Sequence, residues 1–339
     1  MTLLFCDGFD HYATMSQKWS NPGSWSIGAF GRFGTNGARL GTFGHAYSPS
    51  FANSTVLIAG VAYMPQINSN DGNERHIICF RDLSSVQVAI MLTPTYRIGA
   101  YRGSTLLGSG TTYLRSDLKT WHYIEAKVLI DNTNGGVWVR VNGVDEVRLG
   151  AYAVSPTSLD TQSTANAYAN CFSVNGYQYE QIDDLYICND SGSMNNDFLG
   201  DVRVQSIFPT ADGNSTQWTP STGTSHYALI DETAPNGDTD YVSETTAGEK
   251  DTYAFGNLTS TSGTIKGVQV LINARKDDAG SRSIAPVYRP VSTDYDGTTV
   301  SVSDSYAYLR EITEVSPETS VAWTIAEING AEFGVTLKA

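Results

Sequence analysis

Apolar and polar side chains alternate in short runs along the whole chain, and clusters of Gly, Asn, Asp and Ser separate the runs. In the first half the clearest are VLIAGVAY (56–63), HIICFRD (76–82), VQVAIML (86–92), YRIGAYRG (96–103), WHYIEAKVLI (121–130), GVWVRVNGVDEVRL (136–149) and QIDDLYICN (181–189). A period of two is the signature of a pleated strand, and connections as short as DLSS and DNTNGG predict antiparallel hairpins. In WHYIEAKVLID, Trp121, Tyr123, Glu125 and Lys127 share one face, while His122, Ile124, Ala126 and Val128 share the other. Material to cover on both faces predicts a central strand of a two-sheet sandwich.

The second half repeats the pattern in DVRVQSIFP, HYALIDE, DTYAFGNL, TIKGVQVLINARKD, SRSIAPVYRP, TTVSVSD, YAYLREITEV and EFGVTLK. Lys276-Asp277-Asp278-Ala279-Gly280 is predicted to be a hairpin turn, with Gly280 taking the positive φ. NDSGSMNNDFLGD (189–201) has little to bury and is predicted to be a linker. The expectation is an all-β chain of two β-sandwich domains, residues 1–192 and 193–339.

Length and charge sharpen this. The 339 residues suffice for two cores. The net charge of -14 is uneven: residues 1–200 carry 12 basic and 16 acidic side chains, and residues 201–339 carry 9 and 19. Such a surface repels phosphate backbones and anionic lipid, so neither nucleic acid nor membrane is an expected partner. There is no apolar run of about 18 residues, and MTLLFCDGFD lacks the pattern of a secretory signal, so synthesis in a cytoplasm is expected. Cys6, Cys79, Cys171 and Cys188 lie far apart in apolar surroundings and read as small buried hydrophobes.

Two resemblances follow from particular residues. WHYIEAKVLIDNTNGGVWVRVNGVDEVR, FCDGFDHY (5–12) and IDDLYICN resemble strands of laminin-G and concanavalin-A-like jelly rolls, which implies that fold for residues 1–192. The segments NNDFLGDVRVQSIFPTADGNSTQWTPSTG, DTDYVSETTAGEKDTYAF, ARKDDAGSRSIAPVYR and WTIAEINGAEFGVTL resemble a module of bacteriophage virion proteins that follows such a jelly roll. The second resemblance implies a non-enzymatic structural protein on the particle surface. A tail fibre, spike or baseplate component is the first expectation, and a capsid decoration protein on the head exterior is the alternative. Its partners would be other virion proteins and copies of itself, arranged as a trimer, with a host-surface glycan as a further contact.

The chemistry turns on YEQIDDLYICND (179–190). Jelly-roll glycosidases carry an acid and a nucleophile on one strand, facing one groove. Here the leading position is Gln181, no Glu follows, and strand alternation puts Asp183 and Asp184 on opposite faces. A polysaccharide depolymerase acting through these two aspartates is therefore disfavoured. No helical zinc spacing, GxSxG elbow or phosphate loop is present. The jelly-roll resemblance admits calcium where first and last strands meet, with Asp7, Asp10, Asp183 and Asp184 as ligands. Among the aromatic residues, which include Tyr47, Tyr63, Tyr96, Tyr101 and Tyr113, Trp19 and Trp25 in KWSNPGSWSIG are the candidates for stacking on a sugar, the feature expected of a carbohydrate-binding adhesin.

Overall fold

The computed structural model describes residues 2–41, 43–66, 75–114, 119–177 and 179–339, and nearly every regular element in it is a strand. Two units separate. The first comprises Met1–Asp10 and Thr14–Val204, the second His11–Ala13 and Gln205–Ala339. Residues 193–204, assigned from the sequence to the second domain, thus belong to the first unit.

Among the described residues fourteen strands build the first unit: β1 (Leu3–Asp7), β2 (Trp25–Gly28), β3 (Gly37–Leu40), β4 (Phe43–Tyr47), β5 (Val56–Met64), β6 (Arg75–Asp82), β7 (Ser85–Leu92), β8 (Arg97–Arg102), β9 (Thr105–Tyr113), β10 (His122–Leu129), β11 (Gly136–Val141), β12 (Val144–Gly150), β13 (Cys171–Tyr177) and β14 (Gln181–Asn189). An eight-stranded sheet runs β12-β11-β10-β5-β14-β3-β2, with β1 also on β14, and a six-stranded sheet runs β4-β13-β6-β7-β8-β9. All pairings are antiparallel. This is the two-sheet sandwich that the alternation implied, of the jelly-roll kind that the resemblance implied. β10 lies between β5 and β11, as a strand with two covered faces should, and every residue of β5 is buried. Large buried side chains such as Phe5, Leu57, Phe80 and Phe172 fill the interior, and burial of this kind supplies the main driving force for such a fold.

The second unit is a smaller sandwich. β15 (Pro209–Thr216), β16 (Thr219–Pro220), β17 (Val242–Ser243), β18 (Lys250–Phe255), β19 (Val268–Ala274), β20 (Arg282–Arg289), β21 (Tyr295–Asp296), β22 (Val300–Val302), β23 (Ala307–Thr313) and β24 (Glu332–Leu337) follow in order, with the short helix α1 (Ile325–Gly330) before the last strand. The main sheet runs β15-β18-β24-β20-β21, with β22 also on β20. A β19–β23 ribbon covers it: Val268 and Val270 pack on Tyr288, Trp323 and Phe333, and Ile272 and Leu309 on Ile284, Val335 and Leu337.

Residues 275–281 do not form the expected hairpin. Because β19 pairs with β23 and β20 with β24, the segment crosses between layers. Gly280 is not among the positive-φ glycines; Lys276 Nζ instead donates to the carbonyls of Asp278 and Gly280 at 2.9 and 2.8 Å. Among the described residues no cysteine forms a disulfide, and Cys79, Cys171 and Cys188 are buried. No helix among the described residues is long and apolar enough to cross a membrane.

Candidate functional site

β14 changes neighbours halfway along. Gln181 and Ile182 pair with β3, whereas Leu185 to Cys188 pair with β1, so Asp183 and Asp184 stand where one partner ends and the other begins. Against β5 the register slips between Asp183 and Tyr186, and Asp184 has φ of 49°. That is a β-bulge, and a bulge resets the alternation of faces. Both carboxylates consequently meet Arg32. Asp183 Oδ2 accepts the Arg32 backbone N–H at 2.7 Å, and Asp184 Oδ2 lies 3.2 Å from Arg32 Nη1. The expectation of opposite faces is overturned, because an irregularity in strand pairing intervenes between two adjacent residues.

Burial dominates the electrostatics here. Desolvation, followed by repulsion from Asp184, raises Asp183 from 3.8 to about 8. Desolvation likewise raises Asp184 to about 6, against the opposing pull of the Val204 N–H and Arg32. Asp10, whose Oδ1 accepts the Asn36 N–H at 2.9 Å, is raised to about 6 by burial as well.

The segment expected to be a linker is a strap across this region. Phe198 meets Trp138 edge-on at 5.1 Å, Gly200 N–H donates to Glu125 Oε1 at 2.8 Å, Leu199 N–H donates to the Tyr186 hydroxyl oxygen at 3.1 Å, and Val204 N–H donates to Asp184 Oδ1 at 2.8 Å. Arg32 adds a bidentate pair with Asp201 at 2.8 and 3.1 Å. The strap uses the polar face of β10 that the sequence pattern picked out. With Asp183 and Asp184 only 1% and 2% exposed, no sugar reaches between them, so burial removes them as a hydrolytic pair.

Asp7 does a different job. Its Oδ2 accepts the Trp19 indole N–H at 2.7 Å, its Oδ1 accepts the Phe9 N–H at 2.9 Å, and Lys18 Nζ lies 3.3 Å away. Trp19 is 1% exposed, stacked on Phe9 and edge-on to Phe5. Trp25 is 7% exposed and pairs with Leu40. Neither indole offers a face to a sugar. Both are core residues, Trp25 as the first residue of β2 and Trp19 in the segment before it.

The four aspartates do not fit a calcium cage. Asp7 is committed to Trp19 and Lys18, Asp183 accepts three donors including the Thr35 hydroxyl at 3.4 Å and the Asp184 N–H at 2.8 Å, and the Arg32 guanidinium already neutralises Asp184. Among the described residues no three His, Cys, Asp or Glu side chains form a group that could hold a metal ion.

A second constellation lies on the six-stranded sheet. Register places Tyr47 opposite Ser173, Ser173 opposite Cys79, Cys79 opposite Ala89 and Ala89 opposite Tyr101, one line across five strands. His45 stands opposite Asn175 in the neighbouring row. Phe172 and Phe80, partners with rings edge-on at 6.0 Å, occupy one face of the sheet, so alternation turns this line to the other, where Tyr47 is half-buried and Ser173, Cys79 and Ala89 are 0% exposed. Cys79, Ala89, Met91 and Tyr101 accordingly form a small cluster of their own.

The polar members touch one another. Arg81 lies 4.7 Å from the Tyr47 ring centre and donates from Nη1 to Ser173 Oγ at 3.4 Å; His45 stacks on Tyr47 at 6.2 Å. Asn175 Nδ2 donates to Cys79 Sγ at 3.4 Å, and His76 Nδ1 is 3.3 Å from the same sulfur. Burial pushes the Cys79 thiol up to about 12, so it stays neutral. His45 is exposed, Tyr47 and His76 are half-buried, and Arg81 and Asn175 lie deeper, each 5% exposed. The sequence named Tyr47 and Tyr101 only among many aromatics, and gave no sign that residues 45–47, 76–81 and 173–175 meet.

No protein-family model matches the sequence, and no curated protein matches it. Solved structures similar to it include the cellulose-induced protein Cip1 (12% identity, TM-score 0.38, covering 54% of this chain and 96% of the other). Others are the carbohydrate-binding module CBM66 from Bacillus subtilis (9%, 0.36, 52% and 97%) and domain 4 of AbnA, a GH43 extracellular arabinanase from Geobacillus stearothermophilus, in complex with arabinotriose (15%, 0.31, 49% and 76%). At these identities and scores the likenesses say nothing of this chain's ligand.

Proposed function

We propose that the chain is a non-enzymatic glycan-binding protein of a bacteriophage particle surface, and that the face of its six-stranded sheet bearing Tyr47 meets a host-surface glycan. The observation that carries the glycan reading is a cluster drawn from three rows of β4, β13 and β6: Tyr47 opposite Ser173, His45 opposite Asn175, and Arg81 opposite Cys171. It combines an accessible aromatic ring at Tyr47, an imidazole at His45, the Asn175 amide and the Arg81 guanidinium. Apolar ring faces bordered by a few fixed polar groups suit a sugar, which presents C–H patches beside hydroxyls.

The particle setting rests on the sequence resemblance in residues 5–12 and 193–339. Tail attachment is its first form and capsid decoration its second. Copies arranged as a trimer fit the symmetry that virion axes impose. A catalytic role finds no support in the Asp183–Asp184 pair, which lies under the strap.

A glycan array with the wild type and with His45→Ala and Tyr47→Leu tests the binding. The expected result is retention of host-surface polysaccharide by the wild type and loss in both variants. Equal retention by the variants would move the site elsewhere, and shortening of the polysaccharide by the wild type would make the protein an enzyme.

A further inference from the structure

Resting on the glycan reading above, we propose that the ligand is an acidic glycan, and that Arg81 binds the carboxylate of a uronate or sialate-type residue. Arg81 is 5% exposed, and among the described residues no carboxylate lies within ion-pair distance of it. It donates only to neutral oxygens: Nε to the Leu83 carbonyl at 3.4 Å, Nη1 to Ser173 Oγ at 3.4 Å and Nη2 to the Ser84 carbonyl. A guanidinium has five N–H donors, so one on each terminal nitrogen is left over. Taking a cation out of water without a counter-charge is unfavourable. A carboxylate accepting the two remaining donors as a fork removes that imbalance.

Asn175 points to the same ligand independently. The residue is 5% exposed, its Nδ2 is taken up by Cys79 Sγ, and its Oδ1 is buried with no hydrogen-bond partner. An unpaired buried acceptor calls for a donor, and uronates and sialates carry hydroxyl groups as well as the carboxylate. The surroundings leave the arginine's charge intact. Tyr47 stacks on it, and the neighbouring thiol of Cys79 stays protonated.

The test measures binding of the full chain to a panel of uronate- and sialate-bearing polysaccharides, each paired with its carboxyl-reduced form. The expected result is at least one acidic polymer bound about tenfold or more tighter than its reduced partner, the scale of one charge-assisted fork. Arg81→Gln should weaken binding of the acidic polymer far more than that of its reduced form, and so abolish that ratio. If Arg81 only ties down the Leu83–Ser84 turn, the variant lowers the melting temperature and leaves the ratio unchanged, which overturns the proposal. Equal affinity of the wild type for acidic and reduced forms overturns it without any variant and spares the glycan reading. Absence of binding across all pairs overturns both.

Discussion

Asp183 and Asp184 are consecutive residues of one strand, yet both engage the same arginine, Asp183 through the Arg32 backbone N–H and Asp184 through its guanidinium. Arg32 therefore holds together the bulge within β14, the segment before β3 and, through Asp201, the strap. Arg32→Ala leaves Asp184 buried without its counter-charge and should destabilise the first unit by about 3 kcal/mol. Chemical denaturation of both proteins measures this; an unchanged midpoint would mean that the ion pair adds nothing.

The same centre sets a pH dependence. Asp183 at about 8 and Asp184 and Asp10 at about 6 all lie above the ordinary 3.8. The folded chain thus keeps protons that the unfolded chain releases. The stability contributed by these three groups is complete below the ordinary carboxylate range and is lost as pH rises through 6 and then 8. The melting temperature should fall between about pH 5 and about pH 8, and Asp183→Asn should flatten that fall whatever its effect on the absolute value. Parallel pH profiles for the two proteins would contradict the assignment.

Calcium tests the donor geometry. Because Arg32 neutralises Asp184 and N–H donors occupy Asp183, a chelator should leave the wild-type melting temperature where it was, and millimolar calcium should not raise it. A rise on adding calcium would show that these aspartates rearrange into a cage.

Trp19 should behave as a core residue. Its ring lies on Phe9 and against Phe5, and its N–H goes to buried Asp7. Trp19→Ala should lower stability by about 4 kcal/mol, whereas Trp19→Phe, which keeps the packing and loses the hydrogen bond, should lower it by about 1 to 2 kcal/mol. Glycan affinity per folded molecule should be the same in Trp19→Phe as in the wild type.

The strands were legible because alternation is local: β5, β7, β10 and β14 stand within a residue or two of the runs that predicted them. What depends on register was not. The bulge at Asp184 arises where β14 trades β3 for β1, and nothing in QIDDLYICN marks that exchange. Trp19 and Trp25 sit in a polar, Gly-containing stretch that reads as exposed, although both side chains are buried. The row of Tyr47, Ser173 and Cys79 joins three strands distant in sequence, so only their pairing brings it into view.

Hydrogen–deuterium exchange of the chain with and without its best polysaccharide from the array tests the central claim most directly. The glycan reading predicts new protection in β4, β6 and β13 around residues 45–47, 76–81 and 173–175, with the strap at 197–204 unchanged. Protection confined to the strap or to the second unit, with none on those three strands, would contradict it.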